Sequence, residues 1–506
     1  MSESRSKKAL YNISASLLLE FVSIICGFIL PRFILSTFGS NYNGITTSIT
    51  QFLSYITLLR AGVGGVTRAA LYKPLVENNI KSVSEIIKAT ENFMRKVAYV
   101  FLGALLLFAI IYPCLVREEF EWFFSFSLII IMGIATFAQY YFGITYQMLI
   151  GADQRQYVNA IIQTISVILN LIVSIMLMKF GFGIHMVKLG SAIVFTINPI
   201  VLYIYVRKRY NIIRNVEPNN CAIKQRWDAF MHQIAAFVQE NTDVVVLTIF
   251  SSLKEISVYS IYFLISNGIK KLLETITTGL EAAFGNMIAL NDYETLKQSI
   301  LELEVILYSV ATISYACVLN LILPFVSIYT KGITDVNYIR PIFATILVFA
   351  QFFYCIRTPY QYVVEASGHF KQTKNGAICE AIINIVVSVV FVIKFGLVGV
   401  AIGTLISIIF RTIQYVIYTS KNILNRPVYF FIKRLIISIT DIIIITFLIQ
   451  SNCDLTANTY SVWIIKAFFV GIISFFIVIS SNFIFDYKIT RDSILRIKKI
   501  LKRNKK

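Results

Sequence analysis

Long apolar runs are the feature that most constrains how this chain can fold. A bilayer core about 30 Å thick requires roughly 20 apolar residues per helix. Barrel strands would instead alternate polar and apolar residues, and these runs do not alternate. The sequence therefore predicts an all-α integral membrane protein with about fourteen transmembrane helices. The predicted spans lie near 12–37, 44–68, 97–115, 122–149, 158–178, 185–206, 228–250, 258–288, 303–328, 341–364, 376–393, 398–419, 435–451 and 460–485.

The basic residues are placed unevenly between the loops on the two sides of the predicted bundle. The chain of 506 residues has 46 Lys and Arg, 27 Asp and Glu, and a net charge of +19. With a cytoplasmic N-terminus, 31 of the 46 fall on the cytoplasmic side and 6 in outside loops. Since cytoplasmic loops are enriched in Lys and Arg, we expect a multi-pass protein with both termini cytoplasmic. With 57% hydrophobic residues, the chain lacks the polar basic surface of a soluble nucleic-acid binder, so no nucleic-acid partner is expected.

An internal repeat divides the chain. Tyr146–Asp153 is similar to Tyr360–Ser367, and Asn170–Ser174 to Asn384–Ser388, both at an offset of 214 residues. A Lys-Phe-Gly turn ending at Gly181 then recurs at an offset of 215. The repeat separates span 5 from span 11, and an even separation predicts two parallel six-helix lobes.

The predicted domains follow from this repeat. Two lobes are joined by a basic linker and followed by two extra helices and a basic tail. The boundaries are 1–206 for the N-terminal lobe, 207–227 for the cytoplasmic linker, 228–420 for the C-terminal lobe, 421–485 for spans 13 and 14, and 486–506 for the cytoplasmic tail.

One amphipathic segment precedes span 3. Apolar residues recur at helical spacing within 76–91 among charged ones, which predicts a helix lying at the cytoplasmic interface. Ser82 and Glu85 have the spacing of a capping box at its entry to span 3.

Motifs for catalysis are missing from the sequence. There is no G-x-x-x-x-G-K-[ST] phosphate loop, and the three histidines lie far apart, so we expect no catalytic residues, no metal site and no bound cofactor. An enzyme, a membrane glycan polymerase or ligase, is the alternative from a different functional class. The predicted outside loops are too short for the external platform that such an enzyme needs. The sequence favours a protein that is not an enzyme.

Five segments of the sequence carry a family resemblance, namely Pro31–Phe33, Phe38–Gly44, Gly151–Gln154, Asn241–Leu247 and Ser252–Ser260. They are similar to segments of Wzx-type polysaccharide and O-antigen flippases of the multidrug/oligosaccharidyl-lipid/polysaccharide (MOP) exporter superfamily. The resemblance spans nearly the whole chain, including the helix count and the two-lobe layout.

The resemblance implies a function. Members of this family flip undecaprenyl-pyrophosphate-linked oligosaccharides across the bacterial cytoplasmic membrane by alternating access. The implied partners are the lipid-linked oligosaccharide, membrane lipids and the machinery of polysaccharide polymerisation and export. Coupling to Na⁺ or H⁺ is left open. Two relatives with the same architecture remain as alternatives, namely a cation-coupled multidrug antiporter and a peptidoglycan-precursor flippase.

Ionisable residues inside predicted spans are candidates for the substrate site, because charge in the membrane is costly. A pyrophosphate crossing the membrane needs cations in a wet cavity, and in the resembling family helices 1, 2, 7 and 8 line that cavity. The predicted substrate-binding cations are Arg32, Arg60, Arg68, Lys270 and Lys271. The acidic candidates for charge balance or ion coupling are Glu20, Glu240, Asp243 and Glu274.

Structural roles compete with this interpretation. Arg60 and Arg68 lie near the cytoplasmic end of span 2 and could extend to the interface. Lys270 and Glu274 have the spacing of an i,i+4 pair within one helix. Pro31 predicts a kink that favours a cavity role for its neighbour Arg32. Arg357, Arg411 and Lys466 lie outside the expected cavity helices, which favours structural roles for them.

Overall fold

A computed structural model of the chain describes residues 5–58, 63–219, 237, 241–277, 284–285, 287–288, 290 and 292–492. Two of the predicted site residues, Arg60 and Glu240, lie outside the described residues. The chain divides into two compact units, Met1–Ser257 and Val258–Lys506, and each is considered by itself.

The described part of the first unit is mainly helical. A π-helical turn, Gln139–Gly143, joins α5 to α6 without interrupting the helical course. The helices are α1 (Arg5–Phe38), α2 (Ser40–Thr57), α3 (Val63–Val76), α4 (Ile80–Leu115), α5 (Trp122–Ala138), α6 (Ile144–Ala152), α7 (Gln156–Lys179), α8 (Ile184–Arg209) and α9 (Asn241–Phe250).

The second unit is also helical. Its first helix begins at Leu253, a few residues before the boundary between the units. The helices are α10 (Leu253–Thr277), α11 (Tyr293–Tyr329), α12 (Pro341–Ala366), α13 (Phe370–Phe395), α14 (Leu397–Asn422), α15 (Tyr429–Asn452) and α16 (Tyr460–Phe485).

The predicted all-α fold is confirmed. No residue in the described ranges is in a β-strand, and ten helices there are long and apolar enough to cross a membrane. Each of the fourteen predicted spans coincides at least in part with a described helix. Predicted span 44–68 differs, because it is made of two helices, α2 and α3, with residues 59–62 between them outside the described part.

The amphipathic segment 76–91 is not a separate surface helix. Residues from Ile80 onward form the first turns of α4, which continues without a break to Leu115. The predicted capping box is wrong, because the N-cap is Asn79, three residues before Ser82. The Asn79 side chain accepts the Ser82 backbone N–H at 3.0 Å and so caps the first turn.

The internal repeat is reproduced in backbone hydrogen bonds. In the loop after α6, the N–H groups of residues 153, 154 and 155 donate to the carbonyl oxygens of residues 149, 151 and 150. In the loop after α12, the N–H groups of residues 367, 368 and 369 donate to the carbonyl oxygens of residues 363, 365 and 364. All six positions correspond at the offset of 214 found in the sequence.

The two repeat loops share a left-handed residue that differs in type. Gln154 has φ +58° and the corresponding Gly368 has φ +68°. Left-handed backbone strains residues that carry a Cβ and is easily adopted by glycine. The loop of the first unit therefore has a strain that its counterpart avoids.

This difference predicts opposite effects of exchanging the residue types. Gln154→Gly should raise the free energy of unfolding, and Gly368→Ala should lower it, each by about 1 kcal/mol. Thermal unfolding of the purified variants in one detergent would measure both changes. Equal effects of the same sign would contradict the assignment of backbone strain to these positions.

Candidate functional site

A buried row of polar side chains joins α2 to α9 and to the start of α10 in the first unit. Ser48 Oγ lies 2.8 Å from Thr248 Oγ1, and Asn43 Nδ2 donates to Ser257 Oγ at 2.9 Å. Gln51 donates to the Asn241 side chain further along the same face. Side-chain hydrogen bonds hold helices together in lipid, where apolar contact alone gives little preference for protein over lipid.

A close backbone approach and a loop carboxylate complete this contact. A Cβ added to Gly44 would lie 1.9 Å from the Leu253 carbonyl oxygen, so only glycine allows this approach. Glu119, in the loop after α4, accepts the Leu253 N–H at 3.1 Å and so satisfies a free donor at the start of α10. Partial burial raises the pKa of the Glu119 carboxyl above its usual range.

The predicted site residue Asp243 lies beside this row. It is buried on α9 and follows Thr242, whose hydroxyl is 3.5 Å from Tyr55 Oη on α2. The polar row was not predicted from the sequence. The pattern that indicates it is the helical spacing of Gly44, Ser48 and Gln51 among apolar residues of α2.

The other predicted residues of the first unit lie apart from this row. Glu20 and Arg32 are half-buried on α1, which remains helical through Pro31. Arg68 is exposed on α3, and its Nε donates to the Gly64 carbonyl oxygen at 3.2 Å. That placement agrees with the interfacial alternative for Arg68.

The second unit buries Lys270 against an aromatic ring. Lys270 Nζ lies 3.7 Å from the centre of the Tyr354 ring and 3.9 Å from Glu274 Oε1. The predicted i,i+4 pair with Glu274 is therefore present but loose, and the ring is a second partner. The neighbouring Lys271 is exposed.

Tyr354 also links Lys270 to a buried ionic network. Arg357 Cζ lies 4.3 Å from the centre of the same ring, and Arg357 Nη1 is 2.6 Å from Glu380 Oε1. Arg411 Nε lies 3.5 Å from the other oxygen of Glu380. One carboxylate on α13 thus serves arginines from α12 and α14, which agrees with the structural roles expected for Arg357 and Arg411.

A second buried ionic cluster was not predicted. Glu304 of α11 is fully buried, and Arg426 donates to both of its carboxylate oxygens. Arg434 Nε lies 3.9 Å from Glu304, while Arg434 Nη1 lies 3.5 Å from Asp486. In the sequence, the only indication of this cluster is the carboxylate of Glu304, which lies one residue inside predicted span 303–328.

Candidate metal ligands do not converge in the part of the chain that the structure describes. No group of three His, Cys, Asp or Glu side chains there could hold a metal ion. The chemistry of the described residues is therefore that of buried cations, aromatic rings and hydroxyl groups.

Comparison with known proteins identifies the architecture. No family model matches the chain, and no curated protein sequence matches it. Among solved structures, lipid II flippase MurJ in an inward closed conformation has a TM-score of 0.70 and 16% sequence identity, covering 92% of this chain and 98% of that one. The chain therefore has the fold of this solved structure.

Multidrug transporters have the same fold over a smaller part of the chain. An inward-facing MATE family transporter of the MOP superfamily has a TM-score of 0.57 and 14% identity, covering 80% of this chain and 97% of its own. A eukaryotic MATE transporter also has a TM-score of 0.57 and 15% identity, and the match covers 82% of this chain and 95% of that one. The predicted all-α, multi-helix architecture is therefore shared with these solved structures.

The close approach of α2 to α10 predicts a specific sensitivity. Gly44→Ala should lower the free energy of unfolding by about 1–3 kcal/mol, because the new methyl group overlaps the Leu253 backbone. Gly103→Ala is the matched control, since a Cβ there meets nothing within 4 Å. That control should be neutral or stabilising by about 1 kcal/mol. Thermal unfolding of both variants measures the difference, and an equal effect at the two glycines would contradict the contact.

The buried carboxylate of Glu380 predicts a larger effect. Glu380→Gln leaves the guanidinium groups of Arg357 and Arg411 without a counter-charge, which should cost about 3–5 kcal/mol of stability. Glu294→Gln removes an exposed carboxylate 2.9 Å from Lys297 and should cost less than about 1 kcal/mol. Denaturant or thermal unfolding in detergent compares them. A Glu380 variant as stable as the Glu294 control would contradict the structural role of the network.

Proposed function

We propose that this protein flips an undecaprenyl-pyrophosphate-linked oligosaccharide, the repeat unit of a polysaccharide, across the bacterial cytoplasmic membrane by alternating access. The proposal joins the resemblance of the sequence to Wzx-type flippases with the fold shared with a lipid II flippase. In this proposal the protein acts as a transporter and makes or breaks no covalent bond.

The observation that carries the proposal is the extent of the likeness to the flippase structure. The match covers nearly all of both chains, whereas the MATE transporters match about four-fifths of this chain and nearly all of their own. The flippase structure therefore matches a part of this chain that the MATE structures do not match. This favours a lipid-linked cargo over a small drug.

The buried cations support an anionic head group. Lys270 is buried on α10, within predicted span 258–288, at the cost of desolvation, with a half-buried carboxylate and a ring as its partners. A diphosphate that approaches such a lysine replaces the lost water with a charge-assisted hydrogen bond. Arg32, half-buried on α1, could grip a phosphate with two parallel hydrogen bonds.

An apolar groove in the second unit supports a lipid tail. The groove lies between α15 and α16, has a volume of about 780 Å³, and is lined mainly by isoleucine and phenylalanine side chains. Asp441 and Lys433 are its charged members. A polyprenyl chain could lie in this groove while its head group occupies a polar site.

Three alternatives remain as competing functions. A peptidoglycan-precursor flippase would use the same cations for a different glycan. A cation-coupled multidrug antiporter fits the fold, but a buried lysine would repel a cationic drug. A glycan polymerase or ligase would need a platform outside the membrane. The loop between α11 and α12, which is predicted to lie outside, consists only of residues 330–340.

The proposal predicts which cations export depends on. Lys270→Ala and Arg32→Ala should each reduce glycan export about tenfold or more, because each removes a charge-assisted contact with the pyrophosphate. Export is measured as mature polysaccharide at the cell surface at equal protein levels. Lys179→Ala, which removes an exposed basic side chain at the end of α7, should leave export unchanged.

Deletion of the gene separates the competing functions. The proposed flippase should leave lipid-linked glycan on the cytoplasmic face of the membrane, scored by its protection from an external glycosidase. Sensitivity to cationic dyes without such accumulation would favour the antiporter. Full export by both the Lys270 and Arg32 variants would overturn the assignment of the substrate site.

A further inference from the structure

The first unit contains a polar pocket whose lining includes none of the predicted substrate residues. It is formed by α4, α6, the end of α8 and residues 210–214, and its volume is about 430 Å³. Its charged lining consists of four basic side chains and one acidic side chain, Lys88, Arg95, Arg207, Arg214 and Glu91. The pocket thus has an excess of three positive charges.

The acidic member of the pocket is already engaged. Tyr146 Oη donates to Glu91 Oε1 at 2.6 Å, so this carboxylate is fixed to the wall by a neutral donor. None of the four basic side chains forms an ion pair within the residues that the structure describes. Their charge is therefore available to an anionic ligand.

The wall of the pocket is held in place by contacts between three segments. Arg207 Cζ lies 4.2 Å from the centre of the Tyr203 ring, and Arg214 Nη2 donates to Tyr203 Oη at 3.4 Å. The Ile213 N–H donates to Ser84 Oγ at 3.0 Å, which ties the segment after α8 to α4. Two guanidinium groups thus converge on one tyrosine, a geometry suited to the oxygens of a phosphate.

The pocket lies at the polar ends of two helices that are otherwise apolar, α4 and α8. Arg95 precedes the apolar part of α4, which begins at Val97, and Arg207 is in the last turn of α8. Both ends are on the predicted cytoplasmic side. The phosphates of anionic lipids lie at this level of a membrane and attract nearby basic residues.

We propose that this pocket binds a phosphate-bearing anion, separately from the substrate site. The ligand is either the head group of an anionic phospholipid or a soluble phosphate compound of the cytoplasm. Because residues 210–214 belong to the predicted linker 207–227, the bound phosphate connects this linker to α4.

The test uses the full-length protein and two probes. In nanodiscs of phosphatidylcholine mixed with phosphatidylglycerol, native mass spectrometry counts the phosphatidylglycerol molecules retained by the protein. In neutral detergent, a thermal shift titration measures the binding of inorganic pyrophosphate. Arg207→Gln combined with Arg214→Gln should weaken binding of the effective probe about tenfold or more.

The matched control removes the same charge from the same helix end. Lys208→Gln combined with Arg209→Gln changes neighbours that do not line the pocket, and binding should stay within about twofold of the wild type. Arg95→Gln, on a different helix, provides a second test if the double variant does not fold.

The outcomes separate the two sources of phosphate. Selective loss of retained phosphatidylglycerol assigns the pocket to a lipid head group, and selective loss of pyrophosphate binding assigns it to a soluble compound. Equal losses of binding in the pocket variant and in the control would show that the probe binds through general surface charge, which would overturn the proposal. Failure of the wild type to bind either probe would also overturn it. Glycan export is not the readout, so this result is independent of the proposed function.

Discussion

Satisfying polar groups in an apolar solvent is the constraint on which the rest of this structure depends. Backbone N–H and C=O groups must pair within each segment, which makes the chain helical wherever it crosses the membrane. The same constraint then applies to side chains. The buried charges described here have partners within their own unit: Lys270 has a carboxylate and a ring, Glu380 has two arginines, and Glu304 has Arg426 and Arg434.

The two units meet this constraint in different ways. In the first unit, neutral hydroxyl and amide groups connect α2 to α9, and one glycine allows the backbones to approach. In the second unit, buried ion pairs connect several helices. Neutral hydrogen bonds are individually weak in a membrane and can be exchanged for others, whereas separating a buried ion pair leaves an uncompensated charge. The polar row can therefore open at less cost than the ionic network.

Sequence alone predicted the helices well because a membrane-spanning helix is defined by its length and composition. It also predicted the repeat, since Gln, Asn, Lys and Gly recurred at fixed offsets. The start of α4 was placed wrongly because Asn79 and Ser82 are both good caps, and only the backbone decides between them. Apart from the pairing of Lys270 with Glu274, the partners of the buried charges were not predicted. A linear pattern indicates the depth of Glu304 or Glu380 in the membrane but not which helices face it, and the role of Asp243 remains a prediction.

The network around Glu380 has a mechanical consequence. Because one carboxylate pairs with arginines from two neighbouring helices, it connects α12, α13 and α14 at a single point. Tyr354 lies on the same helix as Arg357 and contacts Lys270 on α10, so it joins α10 to this network. An anion that bound Lys270 would compete with the Tyr354 ring for its charge and would therefore weaken the connection between α10 and these three helices.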